Sequence, residues 1–170
     1  MCIRDRYNMV VPRNQYINST NIAVDSSINF YLSKAAKLNT KLSLSIAVPP
    51  DIFVSDLDIS ITLGNLLSNA IEALEKLQDD AERKLSVSIL YKMSTLYLEI
   101  KNTFSGSLKK IDKVTFKSTK KDSRNHGYGL SNVNEVVEKY DGISSFTTEG
   151  NWFIVNITLF SEKKNSQLQE

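Results

Sequence analysis

Three polar side chains stand in register inside one apolar segment. Asn65, Asn69 and Glu72 are spaced four and three residues apart, which puts them on one stripe of a helix. Asparagine is a middling helix former, because its amide competes for backbone hydrogen bonds. Two of them in one helix interior therefore call for a reason. One reading is a solvated polar face, the default for such residues. The sharper one is an oxygen-rich stripe that holds a hard cation such as Mg²⁺.

A second group is His126-Gly127-Tyr128-Gly129-Leu130-Ser131-Asn132-Val133. Two glycines stand just ahead of a helix. Glycine lets backbone N–H groups approach a ligand closely, and a helix N-terminus attracts phosphate. A plain glycine turn capping a helix fits the same residues. Before it lies Phe116-Lys117-Ser118-Thr119-Lys120. Lys120 on a loop beside a phosphate site would act as a point charge and close over a nucleotide; a solvated basic loop is the plainer reading. Asn102, where a strand runs out, offers an amide to the edge of a base, or simply forms a turn.

The elements that position these residues follow from periodicity. Asn21 to Leu38 is expected to be a helix, with Ile28, Tyr31, Leu32 and Ala35 on one stripe. Lys41 to Val48 alternates as a half-buried strand does, and Pro49-Pro50 ends it. Asp56 to about Leu77 reads as a second helix. Its apolar stripe is Ile59, Leu63, Leu66, Leu67, Ala70, Ile71, Leu74 and Leu77, and Asp56 and Asp58 suit the positive end of its dipole. Lys84–Tyr91 and Thr95–Lys101 form a hairpin across Lys92-Met93-Ser94. Asn102 to His126 has no strong period and carries two basic clusters, Lys109-Lys110 and Lys120-Lys121. A loop of that length in a compact domain is usually functional. A third helix opens near Gly129 and runs to Tyr140, stopped at Asp141-Gly142. Ile143–Thr148 and Trp152–Phe160 close the chain as a second hairpin. The pattern is an α+β fold, a two-layer α/β sandwich with about five strands in a mixed sheet and three main helices on one face.

The composition sets bounds. The chain has 170 residues, 41% apolar and 24% charged, ordinary values for one globular domain that buries its own core. A net charge of +2 gives no reason to expect a nucleic-acid or membrane-surface partner. The single cysteine, Cys2, excludes a disulfide framework, and the single histidine, His126, excludes a multi-histidine metal site. No apolar run approaches the roughly 18 residues of a membrane span, and no signal-peptide core is visible. These features suit a reducing, cytosolic setting. Residues 1–20 show no clean period and are taken as an N-terminal remnant or linker; 21–160 form the domain; 161–170 are a polar tail.

The order of these groups is more specific than any of them alone: an Asn-x-x-x-Asn-Ala helix, a strand pair, a polar loop, then a Gly-x-Gly-Leu helix start. It resembles the GHKL ATPase superfamily, the Bergerat fold shared by gyrase and the histidine kinases. Within it the chain looks most like the catalytic domain of peptide-pheromone-type sensor histidine kinases. Gly64-Asn-Leu-Leu-Ser-Asn-Ala-Ile-Glu-Ala73 resembles that family's N box. Lys117–Lys120 and His126–Val133 resemble its lid and glycine box.

The resemblance implies ATP and Mg²⁺ as ligands. Asn69 would coordinate the metal that bridges the phosphates, and Asn65 would help to hold metal or phosphates. Asn102 stands where the family usually has an aspartate on the adenine amino group. Gly127, Tyr128, Gly129 and Leu130 would meet the phosphates, with Lys120 and His126 in the lid. The first glycine box is degenerate, Asn102-Thr-Phe-Ser-Gly106. Hydrolytic members carry a glutamate four residues before the metal-binding asparagine, and here that place is Asn65. An amide takes no proton from water, so transfer to a protein is expected rather than hydrolysis, with Lys120 and Glu72 as further catalytic candidates. The implied partners are a dimerisation helix bearing the phosphoacceptor histidine, not found in this chain, and a response regulator. The implied setting is the cytosolic part of a membrane-anchored bacterial sensor. A GHKL-type Ser/Thr protein kinase and a non-catalytic, nucleotide-responsive binding module are the alternatives.

Overall fold

Each of the first two helices begins where a polar side chain replaces a missing backbone partner. Ahead of α1 (Ile22–Lys37), the side-chain oxygen of Asn21 accepts from the Val24 amide at 3.0 Å. Ahead of α2 (Asp56–Glu75), the Ser55 hydroxyl accepts from the Asp58 amide at 3.2 Å. Such caps satisfy donors that no helical carbonyl can reach. The far end of α2 is capped from outside. Arg83 donates to the Leu74 and Leu77 carbonyls at 3.1 and 2.8 Å, a positive charge on the negative end of the dipole.

The computed structural model describes residues 9–10, 17–105, 114–117 and 128–161. The remaining elements are β1 (Met9–Val10), β2 (Lys41–Ala47), β3 (Lys84–Lys92), β4 (Thr95–Thr103), β5 (Val114–Lys117), α3 (Tyr128–Lys139), β6 (Ile143–Glu149) and β7 (Trp152–Phe160). Among the described residues the seven strands join one sheet in the order β1-β2-β3-β4-β7-β6-β5. Only β2 and β3 run parallel, with α2 as the crossover between them; every other ladder is antiparallel. The five expected strands are the middle of this mixed sheet. The short strands β1 and β5 extend it at its two edges, and β5 falls inside the stretch that reads as an aperiodic loop.

The alternating strands turn Leu42, Leu44, Leu85, Val87, Ile89, Leu96, Leu98, Ile100, Val155, Ile157 and Leu159 into one buried core with the helices. Every member of the expected α2 stripe from Ile59 to Leu74 is buried in it. Between β3 and β4 the ladder closes at Lys92 and Thr95. Met93 and Ser94 are left with φ of 51° and 55°, a two-residue turn of the primed kind that matches strand twist. Gly142 sits where α3 meets β6. A Cβ there would lie 2.6 Å from the Thr158 carbonyl oxygen and 3.0 Å from that of Val137, so only glycine fits between the two backbones.

Candidate nucleotide site

The polar stripe of α2 begins earlier than its chemistry suggests. Asp58, Thr62, Asn65, Asn69 and Glu72 follow at intervals of four, three, four and three, all on one side of the helix. Asp58 and Thr62 are buried, Asn65 is half-buried, and Asn69 and Glu72 are exposed. The stripe therefore emerges from the interior as the helix proceeds.

α3 covers its buried end. The Asp58 carboxylate accepts three hydrogen bonds on Oδ2, from Lys139 at 2.7 Å, Ser55 Oγ at 2.6 Å and Tyr140 Oη at 2.6 Å. Tyr140 Oη in turn accepts from the Ser55 amide at 3.0 Å. Burial opposes ionisation of Asp58, but the hydrogen bonds from Lys139, Ser55 and Tyr140 outweigh it and hold the carboxyl below its ordinary value. The bond to Asp58 raises Lys139 in return. A depressed carboxyl contributes stability that is complete above its ordinary value of 3.8 and is lost as pH falls through the folded value. Asp58→Asn is expected to cost about 1–3 kcal/mol at neutral pH, the usual cost of removing the charge from a buried, hydrogen-bonded acceptor. In denaturant melts its difference from wild type shrinks below pH 3.8 as the wild-type carboxyl protonates; a pH-independent difference would place the cost elsewhere.

This contact also sets where α3 starts. The first turn of α2 meets the last turn of α3, so the helices run in opposite senses. Both rise about 1.5 Å per residue. Stepping equally far back along α3 and forward along α2 brings Tyr128 to the level of Asn69. By that count the first turn of α3 is expected near the exposed end of the asparagine stripe, and helix-start amides suit an anion. Gly129 belongs to that turn, and Leu130 is half-buried against the core. Lys120, His126 and Gly127 lie outside the described residues, as do Ser118, Thr119 and both basic clusters.

Asn65 and Asn69 differ in what they offer. The Asn65 amide turns back along the helix and donates to the Ile61 carbonyl at 2.8 Å. Its nitrogen is engaged and its oxygen faces away from that bond. Asn69 stands exposed. Amide oxygens of this kind suit a hard cation that takes its remaining ligands from phosphate and water, so the residues fit Mg²⁺. Among the described residues, no three His, Cys, Asp or Glu side chains group as a metal site.

Asn102 departs from expectation in a useful way. The strand does not run out before it. β4 continues to Thr103, and Asn102 pairs with Leu85 of β3 and Phe153 of β7. It shares the helix-facing side with Leu96, Leu98 and Ile100 and is 2% exposed. Its Nδ2 donates to the Thr103 carbonyl at 3.1 Å, which leaves Oδ1 as the atom to accept from a ligand. The alternation Leu96, Leu98, Ile100 continued one step would have shown this. Sequence reasoning passed over Thr103, Arg83 and the Asp58–Tyr140 node, whose partners are distant in the chain.

A mixed sheet with three helices packed on it is the two-layer α+β sandwich expected from the sequence. The chain belongs to the GHKL domain family, whose model matches residues 54–160. Among solved structures it is similar to the catalytic domain of histidine kinase ThkA in a nucleotide-free form, at 16% identity and TM-score 0.62, over 82% of this chain and 93% of that one. The mycobacterial sensor histidine kinase MprB is similar at 15% identity and TM-score 0.56, over 81% and 91%. Acinetobacter baumannii histidine kinase AdeS gives 18% and 0.58, over 81% of this chain and 62% of that structure. These likenesses establish the shared α+β fold. No curated protein matches the chain.

Proposed function

We propose that this chain is the ATP-binding catalytic domain of a two-component sensor histidine kinase, with residues 21–160 as the working unit. The observation that carries this reading is Asn102 buried on the helix-facing side at the end of a central strand, in a GHKL domain whose α2 keeps Asn69 exposed. In it, Asn102 takes the adenine amino group, the amides of Gly127 to Leu130 take the phosphates, and Asn69 with Asn65 holds Mg²⁺. When bound, Mg²⁺ would neutralise charge on the β- and γ-phosphates. Lys120 and His126 belong to the lid in this scheme. Glu72, exposed on the same stripe, is the carboxylate nearest in sequence to that metal site.

The chain's part in the reaction is positioning. A histidine imidazole on a separate dimerisation helix forms the N–P bond as the oxygen bridging to ADP departs. Asn65, an amide where hydrolytic relatives carry a general base, favours transfer over hydrolysis. A response regulator is the next acceptor, and the intact sensor is anchored to a membrane outside this segment. Among the described residues no helix is long and apolar enough to cross one.

Calorimetric titration with a non-hydrolysable ATP analogue, with and without Mg²⁺, tests the reading. Binding is expected with magnesium and to be much weaker in EDTA. Absence of binding in both conditions would sink it.

A further inference from the structure

The main-chain ladder between β3 and β4 stops at Leu85 opposite Asn102. One residue on, Thr103 is still paired with Trp152 of β7, but β3 offers it no further partner in register. Its side chain takes over. The hydroxyl accepts from the Lys84 amide at 3.0 Å and donates to the Glu82 carbonyl at 3.1 Å. Both roles of the hydroxyl are filled, and the residue is 1% exposed. Its own carbonyl receives the Asn102 amide.

The two residues held by that hydroxyl flank Arg83, and Arg83 is the residue whose guanidinium caps the carbonyls of Leu74 and Leu77 at the end of α2. The links are continuous: Asn102 to Thr103, Thr103 to the 82–84 segment, and that segment to the helix that carries Asn65 and Asn69. The Thr103 carbonyl that receives Asn102 Nδ2 is main chain, and the Thr103 hydroxyl is what ties that stretch of main chain to Glu82 and Lys84. If the carbonyl shifts, the Asn102 amide can turn and present a donor where an acceptor is needed. Without the hydroxyl, the end of β4 loses both of these hydrogen bonds to the start of β3 and the residues before it.

We infer that Thr103 is a positioning residue for nucleotide binding: it orients the Asn102 amide and holds it at a set place relative to the α2 stripe. This rests on the reading of Asn102 as the adenine contact. It has a consequence that a purely structural threonine would not have. Thr103 sets base preference as well as affinity, because the amide it orients meets the 6-position of the purine, an amino donor in adenine and a carbonyl acceptor in guanine.

The test is calorimetry on the whole chain, well below the melting temperature of each variant, with ATP and GTP analogues in the presence of Mg²⁺. Thr103→Val keeps the shape and removes the hydroxyl. It is expected to weaken ATP binding by about tenfold and to narrow the preference for ATP over GTP, as small losses of orientation do. Thr103→Ser restores the hydroxyl and both properties. Wild-type affinity and base preference in Thr103→Val overturn the inference, whatever its melting temperature. Asn102→Ala, titrated alongside, separates the two possible failures. If it binds ATP like wild type, the adenine assignment falls and takes this inference with it. If it loses affinity while Thr103→Val does not, only the positioning role falls. Should Thr103→Val not fold, Arg83→Met cuts the same connection on the α2 side. It is expected to weaken ATP binding in the same direction, and wild-type binding by it counts equally against the inference.

Discussion

Asn69→Ala will remove magnesium-dependent nucleotide binding and leave the fold in place. Asn69 is exposed on α2, and exposed substitutions away from caps and cores usually change stability by less than about 0.5 kcal/mol. Alanine is also the better helix former. Loss of a metal-holding oxygen acts only on the bound state. An affinity loss of about 100-fold or more, roughly 2.7 kcal/mol, is expected in magnesium. In EDTA the variant and wild type should bind alike, because the side chain then has no metal to hold. That pair of titrations makes the prediction specific. An Asn69→Ala protein that binds Mg-ATP as tightly as wild type would show that the metal does not sit on this stripe. An equal loss with and without magnesium would mean that Asn69 touches the nucleotide itself.

The second large effect is on stability, on the opposite side of the same helix. Leu67 is 1% exposed and belongs to the continuous core beneath the sheet's inner face. Leu67→Ala removes three carbons from a close-packed interior that recovers only part of the volume. The expected cost is about 2–5 kcal/mol, or roughly 4–20 °C in Tm for a domain of this size. Nucleotide affinity measured below the new Tm should stay near wild type, since Leu67 points away from the polar stripe. A Tm shift of a degree or two would mean that the helix is rotated from the orientation described. Together the two variants separate the faces of α2: one loses ligand and keeps its fold, the other does the reverse.

Much of this helix is legible in the residues themselves. Its apolar and polar stripes both follow from the 3.6-residue period, which is a local property of the chain. The stripe positions Ile59, Leu63, Leu66, Leu67, Ala70, Ile71 and Leu74 are all buried as that period requires. The five long strands are legible for the same reason, since alternation is written into each segment. The edges are not. β1 has two residues and β5 four, too few to show a period, and β5 exists as a strand because β6 pairs with it. The end of β4 reads short because Asn102 and Thr103 look like turn chemistry, whereas pairing with β7 continues through them.

The candidate site divides in the same way. Sequence alone singled out the candidates for the proposed chemistry: Asn65, Asn69 and Glu72 in register on one helix, and the Gly-x-Gly-Leu pattern of residues 127–130. It determined this because spacing along one helix, and glycine ahead of another, are local. The tertiary structure decided which part of the stripe stays open. α3 crosses α2 in the opposite sense and binds Asp58 through Lys139 and Tyr140, more than 80 positions along the chain. Those contacts hold the buried start of the stripe, while Asn69 and Glu72 stay exposed. That outcome depends on β7 lying next to β4 and β6 next to β7, the order that carries α3 to the side of α2. Strand pairing between such distant segments balances loop entropy against ladder and core formation, and no single segment's pattern contains it.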